Sequence, residues 1–93
     1  MKITIICDDK YEAQKLSSLL FIKDSKETFI TTILNVVENE LIVALKDKSA
    51  HSILLKDEEN VNLFVDFIQS VIEKEHKIIS TVILENKIEV VKG

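Results

Sequence analysis

The chain of 93 residues contains no arginine, no proline and a single glycine, Gly93. Glycine-rich phosphate loops and nucleophile elbows need internal glycines, so the enzyme classes built on them are excluded. Without arginine the chain also lacks the side chain best suited to bidentate contacts with phosphate or guanine. Composition alone therefore removes several catalytic and nucleic-acid-binding classes.

Cysteine and histidine are equally scarce, being limited to Cys7, His51 and His76. One cysteine cannot close an intrachain disulfide, and this set cannot supply a typical four-ligand zinc site. Cys7 is followed by Asp8 and Asp9, whose carboxylates disfavour the reactive thiolate. We interpret Cys7 as a core residue and the histidines as surface residues. The sequence predicts no catalytic residue, no metal and no cofactor, and hence a protein that is not an enzyme.

The remaining composition is that of one folded domain over residues 1–93, with 46% hydrophobic residues, 30% charged residues and a net charge of −4. This balance excludes the disordered class and argues against nucleic-acid binding by charge alone. The sequence has no run of 18 apolar residues, and its start leads directly into a strand-like run. We therefore expect a reduced, cytoplasmic protein.

Hydrophobic periodicity predicts an α+β fold: an antiparallel sheet of five to six strands with two helices packed on one face. The predicted order is β-α-β-β-(β)-α-β-β, and the bracketed strand, Ser52–Leu55, is left open between a strand and an extended lead-in. The other predicted strands are Lys2–Cys7, Phe29–Val37, Leu41–Leu45, Ile78–Leu84 and Lys87–Val91, and the predicted helices are Asp9–Ile22 and Glu58–Glu75.

Acidic residues precede both predicted helices, as Asp8-Asp9 and as Asp57-Glu58-Glu59. We interpret them as helix caps, with magnesium binding as the alternative. Lys74, His76 and Lys77 lie near the other end of the second helix, where cations favour the helix dipole.

Asn39 and Asn86 are the predicted turn residues of two hairpins, because asparagine tolerates a left-handed backbone. The acidic starts recur after 49 residues and the Glu-Asn turns after 47. An internal duplication and a coding bias toward Ile, Glu, Asn and Lys both account for this similarity.

The second helix has an apolar face that spans about 200° of arc, roughly twice what a helix lying on a sheet needs. We predict that one part of this face is core and that its flank contacts a partner, although packing against the first helix would also explain the flank. The predicted core residues are Val61, Phe64, Val65, Ile68 and Ile72, and the predicted partner-interface residues are Leu63, Phe67 and Val71.

Three local motifs resemble the small dimerisation subunit of the KEOPS complex, the family that includes the cancer/testis-antigen-like proteins. They are Glu12-Ala13 with Ser18-Leu19-Leu20 and Asp24 in the first helix, Val37-Glu38-Asn39-Glu40-Leu41-Ile42-Val43 in the hairpin, and Val61-Asn62-Leu63-Phe64-Val65-Asp66-Phe67-Ile68 with Ser70-Val71-Ile72-Glu73 in the second helix. The resemblance covers Ile3 to about Glu75.

This resemblance implies a non-catalytic scaffold that forms a homo- or heterodimer and offers its helices to a transferase-type subunit, in support of tRNA threonylcarbamoyladenosine modification. Ser52–Asn60 resembles an insertion relative to the family, and Ile78–Gly93 adds a hairpin after the usual end. These departures, with the absence of arginine, put direct tRNA contact in doubt and suggest a divergent paralogue. The alternative hypothesis is a small acidic inhibitor of the mobile-element type that blocks a nucleic-acid-binding partner.

Overall fold

The computed structural model describes residues 1–21, 27–73 and 75–93. Two helices and six strands form an α+β fold, as predicted. The elements are β1 (Lys2–Ile6), α1 (Lys10–Leu20), β2 (Ile30–Val37), β3 (Glu40–Leu45), β4 (Ala50–Leu54), α2 (Glu58–Ile72), β5 (Ile78–Leu84) and β6 (Lys87–Lys92). Ile22 and Asp24, which the sequence analysis placed in or after the first helix, lie outside the described residues.

The strands form two antiparallel three-stranded sheets, ordered β1-β6-β5 and β2-β3-β4, and not the single sheet that the sequence predicted. The segment left open by the sequence is a true strand, β4. The two sheets meet at one isolated bridge between Cys7 and Leu55. Backbone hydrogen bonds flank it, from the Asp8 amide to the Leu54 carbonyl at 3.2 Å and from the Lys56 amide to the Ile6 carbonyl at 2.9 Å. Pairing stops there because the chain turns into a helix directly after each of these strands.

The chain consists of two matching halves, β1-α1-β2-β3 and β4-α2-β5-β6. The first strand of each half pairs with the hairpin of the other half, since β1 pairs with β6 and β4 pairs with β3. The bridge joins equivalent residues, because Leu55 lies 48 positions after Cys7. The repeat suggested by the sequence is therefore present in the structure as a two-fold arrangement of exchanged strands.

Side chains at the junction repeat the same arrangement. Asn86 Nδ2 donates to the Cys7 carbonyl at 3.2 Å, and Asn39 Nδ2 donates to the Leu55 carbonyl at 2.8 Å. The amide of Cys7 donates to the Asn86 carbonyl at 2.8 Å, and that of Leu55 to the Asn39 carbonyl at 2.9 Å. Each asparagine thus holds the end of its hairpin against the first strand of the other half.

The first turn of each helix reaches across to the opposite half in the same way. Glu12 Oε2 accepts a hydrogen bond from the Leu54 amide at 3.1 Å, and Asn60 Oδ1 accepts one from the Ile6 amide at 2.9 Å. These side chains satisfy backbone donors that a sheet neighbour would otherwise satisfy. They compensate for the missing ladder between β1 and β4.

One residue, Leu34, explains why the repeat distance changes along the chain. Both edge strands have a register shift near their start, where Thr31 and Ile79 are the extra residues, but β2 has a second shift at Leu34. Equivalent residues are therefore 48 apart before Leu34 and 47 apart after it. The sequence estimate of 49 for the helix starts was wrong by one, because the caps are Asp9 and Asp57.

Both helices pack into one hydrophobic core. α1 contacts β4, β5 and β6, and α2 contacts β1 and β2, so each helix covers strands of both sheets. Nine core positions have a core counterpart in the other half: Ile5, Cys7, Ala13, Leu16, Leu19, Leu20, Ile30, Leu41 and Val43 in the first, and Ile53, Leu55, Val61, Phe64, Phe67, Ile68, Ile78, Ile88 and Val90 in the second. Leu45 and Val71 also belong to the core.

The left-handed residues of the hairpin turns are glutamates, and not the asparagines that the sequence predicted. Glu38 has a φ of 54° and Glu85 a φ of 56°. Asn39 and Asn86 follow them, and their side chains are committed to the junction bonds described above. The asparagines are thus needed for their amide donors, while the glutamates carry the backbone strain.

The second helix ends at Ile72, three residues before its predicted end. The Glu73 amide still donates to the Gln69 carbonyl at 2.9 Å, and the Glu75 amide donates to the Ser70 carbonyl at 3.2 Å, which is a wider turn. The chain must then extend so that Ile78 can pair with Lys92. Consequently His76 and Lys77 follow the helix and do not belong to its last turn.

Candidate interaction surface

The predicted partner flank of α2 divides between the interior and the surface. Phe67 is 3% exposed and Val71 is 8% exposed, and both belong to the core of the chain itself. Leu63 is 45% exposed. Of the three predicted interface residues, only Leu63 is on the free surface.

The predicted core residues of α2 face inward. Val61, Phe64 and Ile68 are buried, while Val65 and Ile72 are partly buried against the core. The wide apolar arc has a structural cause, because α2 contacts strands of two separate sheets and needs a wider apolar face than a helix on one sheet. Neither of the two explanations considered from sequence, a partner or the first helix, included a second sheet.

The free hydrophobic surface is concentrated on the two edge strands. Seven of the ten exposed large hydrophobic residues of the described chain lie on β2 or β5. They are Leu34, Val36 and Val37 on β2 and Ile79, Val82, Ile83 and Leu84 on β5. Exposed apolar edges are typical of protein-binding surfaces, because monomeric proteins usually protect such edges.

The sequence predicts β2 and β5 only as strands, and this surface was not predicted. The available signal was the apolar character of their second halves, Leu34–Val37 and Val82–Leu84. Alternation of buried and exposed positions is lost there, so both faces of each strand end carry aliphatic side chains. Only the strand order identifies these segments as edges.

The sheet surface opposite the buried side chains is mixed in character. Ile6, Ile42 and Leu54 are half-buried on this surface, while their neighbours along each strand are buried on the opposite face. Lys2 and Glu89 form an ion pair on this surface at 3.4 Å, and exposed pairs of this kind contribute little to stability. Glu40 and Ser52 lie beside Ile42 and Leu54 on this surface, joined by a hydrogen bond from Ser52 Oγ to Glu40 Oε1 at 2.7 Å, so apolar and polar side chains are mixed there.

Lys92 is a buried cation that the sequence analysis did not single out. It is 8% exposed, its Nζ donates to Ser70 Oγ at 2.7 Å, and it lies 5.1 Å from the centre of the Phe67 ring. Leu45 occupies the equivalent position in the first half. The alternation of Ile88, Val90 and Lys92 on one face of β6 is the pattern that could have predicted its burial.

Cys7 is fully buried, and burial raises the pKa of its thiol to about 12, with Glu12 and Asp9 adding to the effect. A thiol with this pKa stays protonated and is a poor nucleophile at neutral pH. The environment of Cys7 is that of a core residue.

His51 belongs to a short hydrogen-bonded chain with Ser49 and Asp47. His51 Nε2 lies 2.9 Å from Ser49 Oγ, and Ser49 Oγ donates to Asp47 Oδ1. The pKa of Asp47 is lowered, chiefly by the hydrogen bonds from the Ser49 hydroxyl and amide. In a catalytic serine the hydroxyl proton points to histidine, whereas here it points to the carboxylate. The three residues brace the turn in which Lys48 has a φ of 70°.

His76 lies beside an open cleft between the end of α2 and the start of β2. Its Nδ1 is 2.7 Å from the Gly93 carbonyl oxygen. The cleft has a volume of about 500 Å³ and is lined by Glu27, Thr28, Ile30, Thr31, Lys46, Val71, Ile72, His76 and Lys77. Lys46 in this cleft is ion-paired with Glu27 at 3.1 Å.

Of the acidic residues predicted to cap the helices, Asp9 and Asp57 are the N-caps, while Glu58 and Glu59 lie in the first turn of α2. Asp9 Oδ1 accepts hydrogen bonds from the Tyr11 and Glu12 amides, both at 2.9 Å. Asp57 Oδ1 accepts one from the Asn60 amide at 3.0 Å, and the hydrogen bonds from Asn60 lower the pKa of Asp57. Within residues 1–21, 27–73 and 75–93, no three His, Cys, Asp or Glu side chains are grouped to hold a metal ion.

Comparison with family models, with curated proteins and with solved structures found no match to this chain. In the part of the chain that the structure describes, neither helix has the length and apolar character needed to cross a membrane.

Proposed function

We propose that this protein is a non-catalytic interaction subunit, a small scaffold that works by binding other protein chains. The observation that carries the proposal is the concentration of exposed aliphatic side chains on the edge strands β2 and β5. Burial of such side chains against a partner is favourable by roughly 25 cal/mol per Å² of apolar surface, before the costs of association.

The resemblance to the small KEOPS subunit supports a more specific form of this proposal. The described parts of its three motifs lie on α1, on the β2-β3 hairpin and on α2, which is the order that the resemblance requires. We therefore propose a scaffold that binds a transferase-type subunit of a tRNA-modification complex. Leu63 is the exposed large hydrophobic residue of α2 through which this contact is proposed to form.

The test is a binding titration between the purified chain and a transferase-type subunit of such a complex. Leu63→Glu places a charge in the proposed contact and is expected to weaken binding at least tenfold, because an unpaired buried charge is costly. Asn62→Glu is the matched control, since Asn62 is the neighbouring exposed residue of α2. Both variants should keep the thermal midpoint of the wild type.

Equal affinity for both variants would contradict binding through α2, and no binding by the wild type would contradict the KEOPS-like role. Salt separates this proposal from the acidic-inhibitor alternative, because apolar docking persists at high ionic strength and binding by charge does not. Loss of wild-type binding at high salt would favour the inhibitor.

A further inference from the structure

The edge strand β5 combines properties that a protected edge strand avoids. Its sequence from Ile78 to Leu84 has no charged residue and no proline, and among the described residues β5 pairs with β6 on one side only. Ile79, Val82, Ile83 and Leu84 are 40% to 67% exposed. A free, uncharged and apolar edge is a template for pairing with another strand.

The equivalent edge strand β2 is protected. It has two register shifts, at Thr31 and Leu34, whereas β5 has one, so Ser80–Leu84 runs without interruption. The Val36 amide is occupied by a hydrogen bond to Asn35 Oδ1 at 2.9 Å. Val82 takes the place of Asn35 in β5. The two halves therefore differ at their edge strands, and β5 is the edge that can accept a partner strand.

We infer that β5 pairs antiparallel with β5 of a second copy of this chain, around a two-fold axis at Thr81. This arrangement places Thr81 opposite Thr81 and Ser80 opposite Val82, and it brings the bulged Ile79 beside Ile83. It also brings Lys77 of each copy near Glu85 of the other. Cross-strand threonine pairs, aliphatic pairs and opposite charges all stabilise antiparallel strands, and no like charges meet.

The edge is therefore complementary to itself, which is the requirement for a closed dimer. Pairing would extend the β1-β6-β5 sheet of each copy into one six-stranded sheet. The inference rests on the proposed function, because it names a second copy of the chain as the partner of the exposed edge β5. It concerns the hairpin that has no counterpart in the resemblance, and it is tested with the chain alone, so it can fail without the proposed binding of a transferase-type subunit failing.

The experiment is sedimentation equilibrium of the full chain over a wide concentration range. A strand pairing of this size is smaller than a standard interface, so a weak, concentration-dependent dimer is expected. Lys77→Glu alone and Glu85→Lys alone should each raise the dimer dissociation constant roughly tenfold, because each turns two attractive contacts into repulsive ones. The double variant Lys77→Glu/Glu85→Lys should restore wild-type affinity.

A matched pair of lysine substitutions tests which edge is used. Val82→Lys should weaken the dimer, while Asn35→Lys, at the equivalent position of β2, should leave its dissociation constant unchanged. If a variant fails to fold, hydrogen exchange of the wild type is measured in place of its dissociation constant. Amide protection in Ser80–Leu84 is expected to rise with protein concentration. A wild type that stays monomeric, assemblies larger than a dimer, or a dimer indifferent to both single charge reversals would overturn the inference.

Discussion

Cys7 is the side chain whose proton affinity is most clearly changed by folding. Its thiol pKa is about 12 in the folded chain, against an ordinary value of 9.0. Below pH 9 both the folded and the unfolded chain hold the proton, so the contribution of the protonated thiol to stability is complete. Between pH 9 and 12 the unfolded chain releases the proton first, and stability is lost.

We predict that the free energy of unfolding falls with pH in this window by about 1.4 kcal/mol per unit from Cys7 alone. Chemical denaturation from pH 8 to 11 measures it, with Cys7→Ala as control. Every other residue is common to the two proteins, so the difference between the two curves isolates the thiol. Parallel curves would contradict the assigned pKa.

Lys92 provides a second prediction at the residue scale, because its equivalent in the first half is Leu45. The charge on its Nζ is removed from water and contacts neutral groups, the Ser70 hydroxyl and the Phe67 ring. Lys92→Leu is expected to leave stability unchanged or to raise it by about 1 kcal/mol, since apolar replacements of buried charges are often stabilising. Leu45→Lys should lower it by about 3 kcal/mol or more. Urea denaturation compares them, and a strong loss for Lys92→Leu would refute this account of the site.

At the scale of elements, α2 is the helix on which the core depends most. Phe64 and Ile68 are fully buried, so Phe64→Ala and Ile68→Ala should each cost about 2 to 5 kcal/mol. Phe67→Glu should unfold the chain, because its ring is also internal. Thermal unfolding tests all three, and a stable, cooperative Phe67→Glu variant would show that this ring is not part of the core.

The hairpin ends are the second element-scale feature. Asn39→Ala and Asn86→Ala each remove an amide donor to the opposite half and should cost about 1 kcal/mol. The two losses are expected to be coupled in the double variant, because both hydrogen bonds end at the bridge between Cys7 and Leu55. A loss below a few tenths of a kcal/mol for both would mean that the junction is held by the backbone bonds alone.

Local pattern was sufficient to predict the elements and insufficient to predict their arrangement. The three- and four-residue spacing of Val61, Phe64 and Ile68 identifies α2, and the acidic caps identify where both helices begin. Periodicity does not reveal that β1 pairs with β6, since that contact joins the ends of the chain. Without the strand order, neither the edge position of Val82 nor the burial of Phe67 beneath two sheets could be derived.

At the scale of the whole molecule, the exchange of first strands makes the two halves interdependent. Residues 1–47 alone lack the partner strand of β1, and residues 48–93 alone lack that of β4. We predict that neither fragment folds by itself and that mixing them restores the native spectrum. Circular dichroism of the fragments and of the mixture measures this. A folded single fragment would show that the halves are independent units.

The same two-fold arrangement bears on function, because it leaves two edge strands at equivalent places and protects only one of them. β2 carries Asn35 and a second bulge, whereas β5 carries Val82 and a regular edge. If the chain arose by duplication, this difference is expected when β5 kept the ability to pair with a partner strand and β2 lost it. We therefore propose a scaffold whose two halves are paired internally and whose edge strand β5 is left for strand addition.

The most direct test of this scaffold account is the mass of the wild-type chain in solution, alone and with a transferase-type subunit. Light scattering after size exclusion, repeated at several concentrations, should give a mass that rises from 10.6 kDa toward twice that value, and a larger complex in the mixture. Both signals should persist at high salt, since the contacts are mainly apolar. A mass of 10.6 kDa at every concentration, with no complex in the mixture, would contradict the account.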